Sequence, residues 1–306
     1  MIMSMVQCRK GPVEPVWTTF SYADGLANNM VHDIAIDKSG NKWIACGINR
    51  ISCYNNRNWS SFSIPEEFIC GFIFDIEIDK DDNKWIGTMG SGAMKFDGVN
   101  WTSYNEYNGL PGNDVLSLAS DAEGNVWLGS RAGVRRFDGE NWIMYDKDDG
   151  LVDNTITAIA EDADGNMWFG SVAGDISKFD GTAWTSFTRP AGPEKHIIND
   201  IAVDAHGNVW FATVYGALRY DGAGWRVYTE SDGIVSNYVY SIAIGMDEKI
   251  WFGTYGGVSV YDGALWTNYL DSDGLAENQV TSVAIESDRI IWFGTGLSGV
   301  SRLSFE

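Results

Sequence analysis

No stretch of the 306-residue sequence approaches the roughly 18–20 apolar residues of a membrane-spanning helix, the longest candidate being the short FICGFIF at 68–74. Basic side chains are scarce. Against 42 Asp and Glu there are 21 Lys and Arg, and the resulting charge of −21 repels nucleic-acid phosphates and anionic membrane surfaces, so neither is expected as a partner. Four cysteines, Cys8, Cys46, Cys53 and Cys70, form no CxxC or zinc-like spacing; Cys46 and Cys53 read equally as two thiols of one hairpin or as a bridge. The sequence has no HExxH, no P-loop and no G-x-S-x-G elbow. GTGLSG at 294–299 satisfies G-x-G-x-x-G, but it leads into a strand instead of a helix whose N-terminus would hold a pyrophosphate. No cofactor is therefore expected.

Tryptophan, in contrast, is abundant and periodic. Trp43, Trp85, Trp127, Trp168, Trp210, Trp251 and Trp292 step by 42, 42, 41, 42, 41 and 41 residues, and Trp17, Trp59, Trp101, Trp142, Trp184, Trp225 and Trp266 step identically, which accounts for all 14. A period of about 40 residues built from short strands points to an all-β propeller of four-stranded antiparallel blades. In each unit strand a resembles VTSVAIE (280–286), strand b NMWFGS (166–171), strand c GVSVYDG (257–263) and strand d WTNYL (266–270). The first d-type tryptophan, Trp17, precedes any a strand, and the sequence stops after a c strand. An N-terminal strand near 16–21 is thus expected to close a seventh blade, removing the open edge of a linear array. Residues 16–306 read as one seven-bladed propeller and 1–15 as a tail or tether.

Asp37, Asp79, Asp121, Asp162 and Asp204 stand six residues before their b-strand tryptophan in turns such as DADGN, where short polar and left-handed-tolerant residues suit a tight hairpin. Calcium binding by D-x-D-G is the alternative for these turns, but none continues into the spaced ligand set ending in Glu of an EF-hand loop. The repeated residues, all 14 tryptophans included, are therefore expected to be buried scaffold.

DGLAENQVTSVAIE followed by IWFGTGLSGVSRL, and NVWLGSRAGVRRFDGENW at 125–142, resemble the two-component regulator propeller repeat, and the likeness runs over residues 17–305. The resemblance implies a non-catalytic recognition domain of a bacterial signalling or glycan-utilisation system outside the cytoplasm. With one propeller and neither kinase nor receiver, the sequence would supply the sensing half. Cys8 followed by a Pro-containing tether resembles the mature start of a lipoprotein, periplasmic or at the surface. Met-Val-Gln ahead of it departs from the usual small-residue cleavage box, and an ordinary cysteine at a trimmed start is the alternative.

If repetition marks scaffold, recognition should lie where repetition fails. Aromatics outside the repeated slots, among them Tyr22, Phe68, Phe72, Phe74, Tyr107, Tyr215, Tyr238, Tyr240 and Tyr255, fall in d–a or b–c connections or at the start of strand a, hence at one end of the ring. Five d–a connections carry [DN]-G-[LI] followed by Asn29, Asn113, Asn154, Asn237 or Asn278, expected to tie the loop to backbone. SIPEEFICGFIFD and TRPAGPEKHIIND lack that pattern and stand about 150° apart around seven blades. One slot near the axis is variable from blade to blade: His32, Phe74, Leu116, Thr157, Asn199, Tyr240, Thr281. Where six blades have Ala35, Ala119, Ala160, Ala202, Ala243 and Ala284, the Trp85 blade has Glu77, with Asp75 two residues earlier; solvated acids in a water-filled channel and a metal or acid–base pair are the two readings.

The expected binding residues are Phe74, Tyr240, Tyr215, Tyr255, Asn199, His32, His196, Asp75 and Glu77, for a small polar ligand or glycan fragment on a monomer. The enzymatic alternative is similar to the streptogramin-lyase propellers, with His196 or His32 as base and Asp75 and Glu77 holding a divalent metal. A protein partner on the d–a and b–c face is the third reading.

Overall fold

The computed structural model of the protein describes residues 14–65, 71–110, 112–190 and 196–305. The repeated units form strands because each alternates β-branched or aromatic residues between turns that carry glycine or Asx at left-handed positions. The described residues contain 28 strands, numbered β1 to β28 in chain order. Six blades are consecutive meanders: β2–β5 (31–63), β6–β9 (73–104), β10–β13 (115–145), β14–β17 (156–187), β18–β21 (198–228) and β22–β25 (239–269). The seventh joins β26 (Val280–Ser287), β27 (Ile290–Thr295) and β28 (Val300–Phe305) to β1 (Pro15–Phe20) from the other end of the sequence. β1 runs antiparallel to β28 with Trp17 opposite Leu303, so β28 is not left as an edge.

The core is divided among the seams between neighbouring blades. One seam gathers Trp127, Leu151, Ile156, Met167, Phe169 and Phe179, with Trp184 packed against it. The seven tryptophans of the second strands are buried. Those of the outer strands, from Trp17 to Trp266, are only half-buried, because an outermost strand has a neighbouring strand on one side only. The expectation that all fourteen are fully buried is thus corrected by half.

The recurring Asp has a specific task. Nε1 of Trp43, Trp85, Trp127, Trp168 and Trp210 donates to Asp37, Asp79, Asp121, Asp162 and Asp204 at 2.7–3.0 Å, and Trp292 uses Glu286 at 2.7 Å in the same way. The Asp162 carboxylate also accepts from the N–H groups of Asp164 and Asn166 and from the Asn166 amide, so protein donors surround it. One side chain thereby folds the hairpin and satisfies the buried indole, which is why the DADGN-type turn and the tryptophan recur together. Five cations of the third strands stand across from these indoles: Lys95, Arg136, Lys178, Arg219 and Arg302 lie 5.6–6.0 Å from the ring centres of Trp85, Trp127, Trp168, Trp210 and Trp292.

The d–a connections are equally regular. Oδ1 of Asn29, Asn113, Asn154, Asn237 and Asn278 accepts from the backbone N–H seven residues earlier at 2.6–3.0 Å, as expected from the repeat. The preceding glycine is required twice over: Gly109 has φ +140°, and a Cβ there would lie 2.5 Å from Cδ1 of Trp142. Cys46 and Cys53 are free buried thiols. Cys8, Phe68, Cys70 and nearly all of the expected tail at 1–15 lie outside the described residues.

Candidate functional site

The inner strands β2, β6, β10, β14, β18, β22 and β26 surround a central cavity of about 600 Å³. In every blade the pairing of the inner strand with its neighbour slips between its first and third residues, as between Ile73 and Asp75 or Val239 and Ser241. A bulge places one extra residue and re-aims its side chain. That extra residue is the variable slot: His32, Phe74, Leu116, Thr157, Asn199, Tyr240 and Thr281 all line the cavity, together with the residue next after each of the first six. Two successive positions therefore face the axis where plain alternation would give one.

The second of these slots holds Asp33, Asp75, Ser117, Ala158, Asp200, Ser241 and Ser282, and in five blades it clips one blade to the next. Backbone N–H groups of Ile76, Leu118 and Ile242 donate to Asp33, Asp75 and Asp200 at 3.2, 2.6 and 2.8 Å, and those of Val283 and Ile34 reach Ser241 and Ser282 at 3.2 and 3.1 Å. Glu77, one layer deeper, accepts from the N–H and hydroxyl of Ser120 in the adjacent blade. Asp75 and Glu77 are thus interblade acceptors as well as channel walls, in place of the freely solvated acids expected. Asp33 and Asp200 belong to the same ring and do not stand out in the sequence, because Asp is common throughout; their signal is register, two residues before the alanine slot.

Enclosure shapes the protonation of these acids. Burial, with Asp33 beside it, holds the Asp75 carboxyl well above the usual carboxylate range. Burial pushes Glu77 and Asp200 up to about 7, against hydrogen bonds from Ser120 and from Ile242 that favour the ionised form. Glu161, further along the wall, is also raised by burial. The His32 imidazole is lowered by burial, which Asp33 opposes, and its Nε2 has no hydrogen-bond partner.

Of the residues expected to bind, Phe74, Tyr240, Asn199, His32, Asp75 and Glu77 meet in this cavity. Tyr215, Tyr255 and His196 do not line it. His196 is buried with its ring 4.3 Å from that of Tyr215, and burial lowers its pKa, as does Arg189. Tyr255 is exposed; Tyr238 packs on Tyr240 with ring centres 4.7 Å apart and planes tilted by 45°, and Gln279 donates to the Tyr240 hydroxyl at 3.3 Å. The aromatic rim therefore reaches the cavity through Phe74 and Tyr240, while Phe72 meets the cavity-lining His32 edge-on at 5.7 Å. Of the irregular connections, residues 66–70 and 191–195 lie outside the described part. Among the described residues no group of three or more His, Cys, Asp or Glu is arranged to hold a metal ion, so the metal reading of Asp75 and Glu77 finds no wider ligand set here. No helix among them is long and apolar enough to cross a membrane.

Comparison with known proteins places this geometry. The sequence matches the family described as Two component regulator propeller over residues 109–132, 150–173 and 233–256. No curated protein matches it. Among solved structures it is similar to the extracellular domain of a B. thetaiotaomicron protein described as a hybrid two component system, BT3049 (TM-score 0.80, 22% identity, 94% of this chain and 41% of that one). It is also similar to a catalytically inactive virginiamycin B lyase from Staphylococcus aureus with quinupristin (TM-score 0.80, 16% identity, 96% and 100%). A third is PorZ, a surface component of the type-IX secretion system of Porphyromonas gingivalis (TM-score 0.76, 17% identity, 92% and 47%). The chain spans about two-fifths of the length of the first of these. At such identities the structures speak for the fold, while the sequence match speaks for the repeat. The chain is a seven-bladed β-propeller that matches the two-component regulator propeller repeat in three of its units.

Proposed function

We propose that the protein is a non-catalytic recognition propeller that takes a small polar ligand or glycan fragment at the mouth of its central cavity, as the extracytoplasmic sensing part of a bacterial signalling or glycan-utilisation system. The observation that carries this reading is the bulge ring: on seven otherwise repeated inner strands, one cavity-facing position differs in nearly every blade, from His32 and Phe74 to Asn199 and Tyr240. Scaffold demands likeness at equivalent positions, whereas discrimination demands difference. Phe74 and Tyr240 supply flat faces for stacking, and Asn199 and Thr157 supply polar contacts. The similarity to the extracellular domain of BT3049 supports the sensing role and the location. A glycan array combined with a thermal-shift screen tests it: Phe74→Ala and Tyr240→Ala should abolish the hit while leaving the melting temperature nearly unchanged. A hit that survives both substitutions removes the cavity mouth from the proposal.

A lyase-like activity is the second reading, favoured by likeness to a lyase that the chain matches over its whole length. Its weak point is His196, buried beside Tyr215 and off the cavity wall, which leaves His32 as the base in reach of a ligand in the cavity. Metal-dependent opening of a streptogramin B substrate, abolished by His32→Ala, would establish it; turnover indifferent to His32→Ala and His196→Ala would remove both histidines from the mechanism.

A further inference from the structure

We infer that one arc of the d–a and b–c end, over four consecutive blades, is a docking surface for a basic protein segment that carries apolar side chains among its Lys and Arg residues. The inference does not rest on the cavity being a ligand site.

With β2–β5 as the first blade, the blade closed by β1 is the seventh. The b–c hairpins of blades five, six, seven and one put Tyr215, Tyr255, Leu297 and Ile48 at their tips, and the d–a connections of blades one and six add Tyr22 and Tyr238. These six side chains are 39–71% exposed. Tight turns ask for Gly, Asn, Asp or Ser, so the fold gives no reason for Tyr, Leu and Ile at tips that face water. Apolar side chains scattered singly over a surface are ordinary, whereas a group gathered at one end marks a contact.

Backbone hydrogen bonds join the arc into one surface. Tyr255 N–H donates to the Tyr238 carbonyl at 2.9 Å, and Gly216 N–H to that of Asn237, which ties blade five to blade six. The Gln279 amide reaches the Tyr240 hydroxyl from blade seven, and Gly296 N–H donates to Gln279 beside the Leu297 tip at 3.0 Å. Gly299 N–H then donates to Asn29 at 2.9 Å, and Gly47 N–H to Met30 at 2.8 Å, which brings in the Ile48 tip of blade one.

The same arc carries charge of one sign. Its connections, 21–30, 47–49, 214–215, 229–238, 255–256, 270–279 and 296–299, contain Asp24, Glu230, Asp232, Asp271, Asp273 and Glu277 and no Lys, Arg or His. Asp24, Asp232 and Asp273 are accounted for by their turns, where they accept from the N–H groups of Ser21, Thr229 and Leu270. Glu277 accepts from Leu297 N–H at 2.7 Å and Glu230 from Asn237 N–H at 2.9 Å, which fixes a carboxylate beside the Leu297 tip and another beside Tyr238. Basic residues appear on the far side of the ring, with Arg131 and Lys147 in connections of blades three and four.

Charge complementarity selects the occupant. A second copy laid face to face would set these six acids against their equals, and an anionic lipid surface would be repelled in the same way. A segment with Lys and Arg meets the carboxylates, packs its cations over the tyrosine rings and covers Leu297 and Ile48 with its own apolar side chains.

Selection from a random peptide library displayed on phage, against the whole chain, followed by titration of the selected synthetic peptide, tests this. The expected consensus alternates Lys or Arg with Leu, Ile or aromatic residues. Ile48→Ser, Tyr255→Ser and Leu297→Ser together should weaken that peptide about tenfold or more. Glu230→Gln, Asp271→Asn and Glu277→Gln together should weaken it several-fold and flatten its dependence on salt. Val99→Ser, Met246→Ser and Leu265→Ser, at exposed sites in the a–b and c–d turns of the other end, should leave it unchanged. Circular dichroism confirms that each variant folds. Failure to enrich such a consensus overturns the inference, as does binding untouched by the hairpin-tip substitutions. Equal loss in the variant of the other end overturns it too, by marking general adsorption to an acidic chain. Sedimentation showing a dimer that the hairpin-tip substitutions dissolve would make a second copy the occupant and refute the basic partner. Phe74 and Tyr240 are intact in all three variants, so glycan binding at the cavity mouth is read separately, and either reading can fail while the other stands.

Discussion

Replacing Glu77 by Gln should stabilise this protein at pH 8 and leave its stability nearly unchanged at pH 4. The Gln Oε1 can still accept from the N–H and hydroxyl of Ser120, so the interblade clip survives while the charge is lost. In the folded chain burial raises Glu77 from 4.5 to about 7. The sign comes from proton counting: between these values the folded state holds a proton that the unfolded state has given up, so stability falls as pH rises through that window and levels off above it. A displacement of this size corresponds to roughly 3 kcal/mol of disfavoured ionisation, a ceiling because water in the channel screens the charge. Spread over a chain of this length, about 3 kcal/mol moves the melting temperature by roughly 4–5 °C. Urea titrations of wild type and E77Q at pH 4, 5, 6, 7 and 8 measure the difference directly. The two profiles should nearly coincide at pH 4 and separate by up to about 3 kcal/mol at pH 8, with E77Q the more stable. Parallel profiles, or E77Q the weaker protein at pH 8, would refute the burial of this carboxyl.

Other substitutions probe the scaffold. Trp127→Ala empties a buried site between blades and should cost about 3–5 kcal/mol in urea unfolding, whereas Trp142→Ala, half-buried on an outer strand, should cost clearly less. Asp79→Ala leaves the Trp85 indole N–H buried without its acceptor and undoes the turn, for a loss of about 2–3 kcal/mol at pH 7. Its carboxyl lies below its ordinary value, as do those of Asp37, Asp162 and Asp204: burial opposes ionisation, but the tryptophan and asparagine donors outweigh it. The stability they confer is present above about pH 4 and is lost as pH falls further, which acid titration of wild type beside Asp79→Ala will separate. Deleting residues 1–20 removes β1 and bares β28 as an edge, so the truncated chain should melt earlier and self-associate in size-exclusion chromatography.

The fold was legible because its cause recurs around the ring. An indole that needs a buried acceptor, an Asp that both turns the chain and supplies it, and a glycine that must be left-handed and slim against a neighbouring tryptophan each recur at a fixed interval, so the period reads directly as blades. Ring closure was legible too, since Trp17 had no unit of its own. The degree of burial was not: residue identity does not say that the outer-strand tryptophans face solvent on one side, because that depends on the strand's place in its sheet.

The site was half legible, for a reason that lies in the bulge. Strict alternation along an inner strand sends Phe74 and Asp75 to opposite faces, so a reader of the sequence can pair Asp75 with Glu77 or collect the variable slot, but has no ground for joining the two. The slip between the first and third residues of every inner strand turns both toward the axis and makes one chamber of an aromatic rim and an acidic wall. That also explains why His196, an outlier in the sequence, stands outside it: it precedes the bulge of β18 and packs on Tyr215, whereas Asn199 and Asp200, unremarkable in composition, fall on the bulge and line the chamber. Position relative to the bulge, more than residue type, decides which side chains a ligand in this propeller can touch.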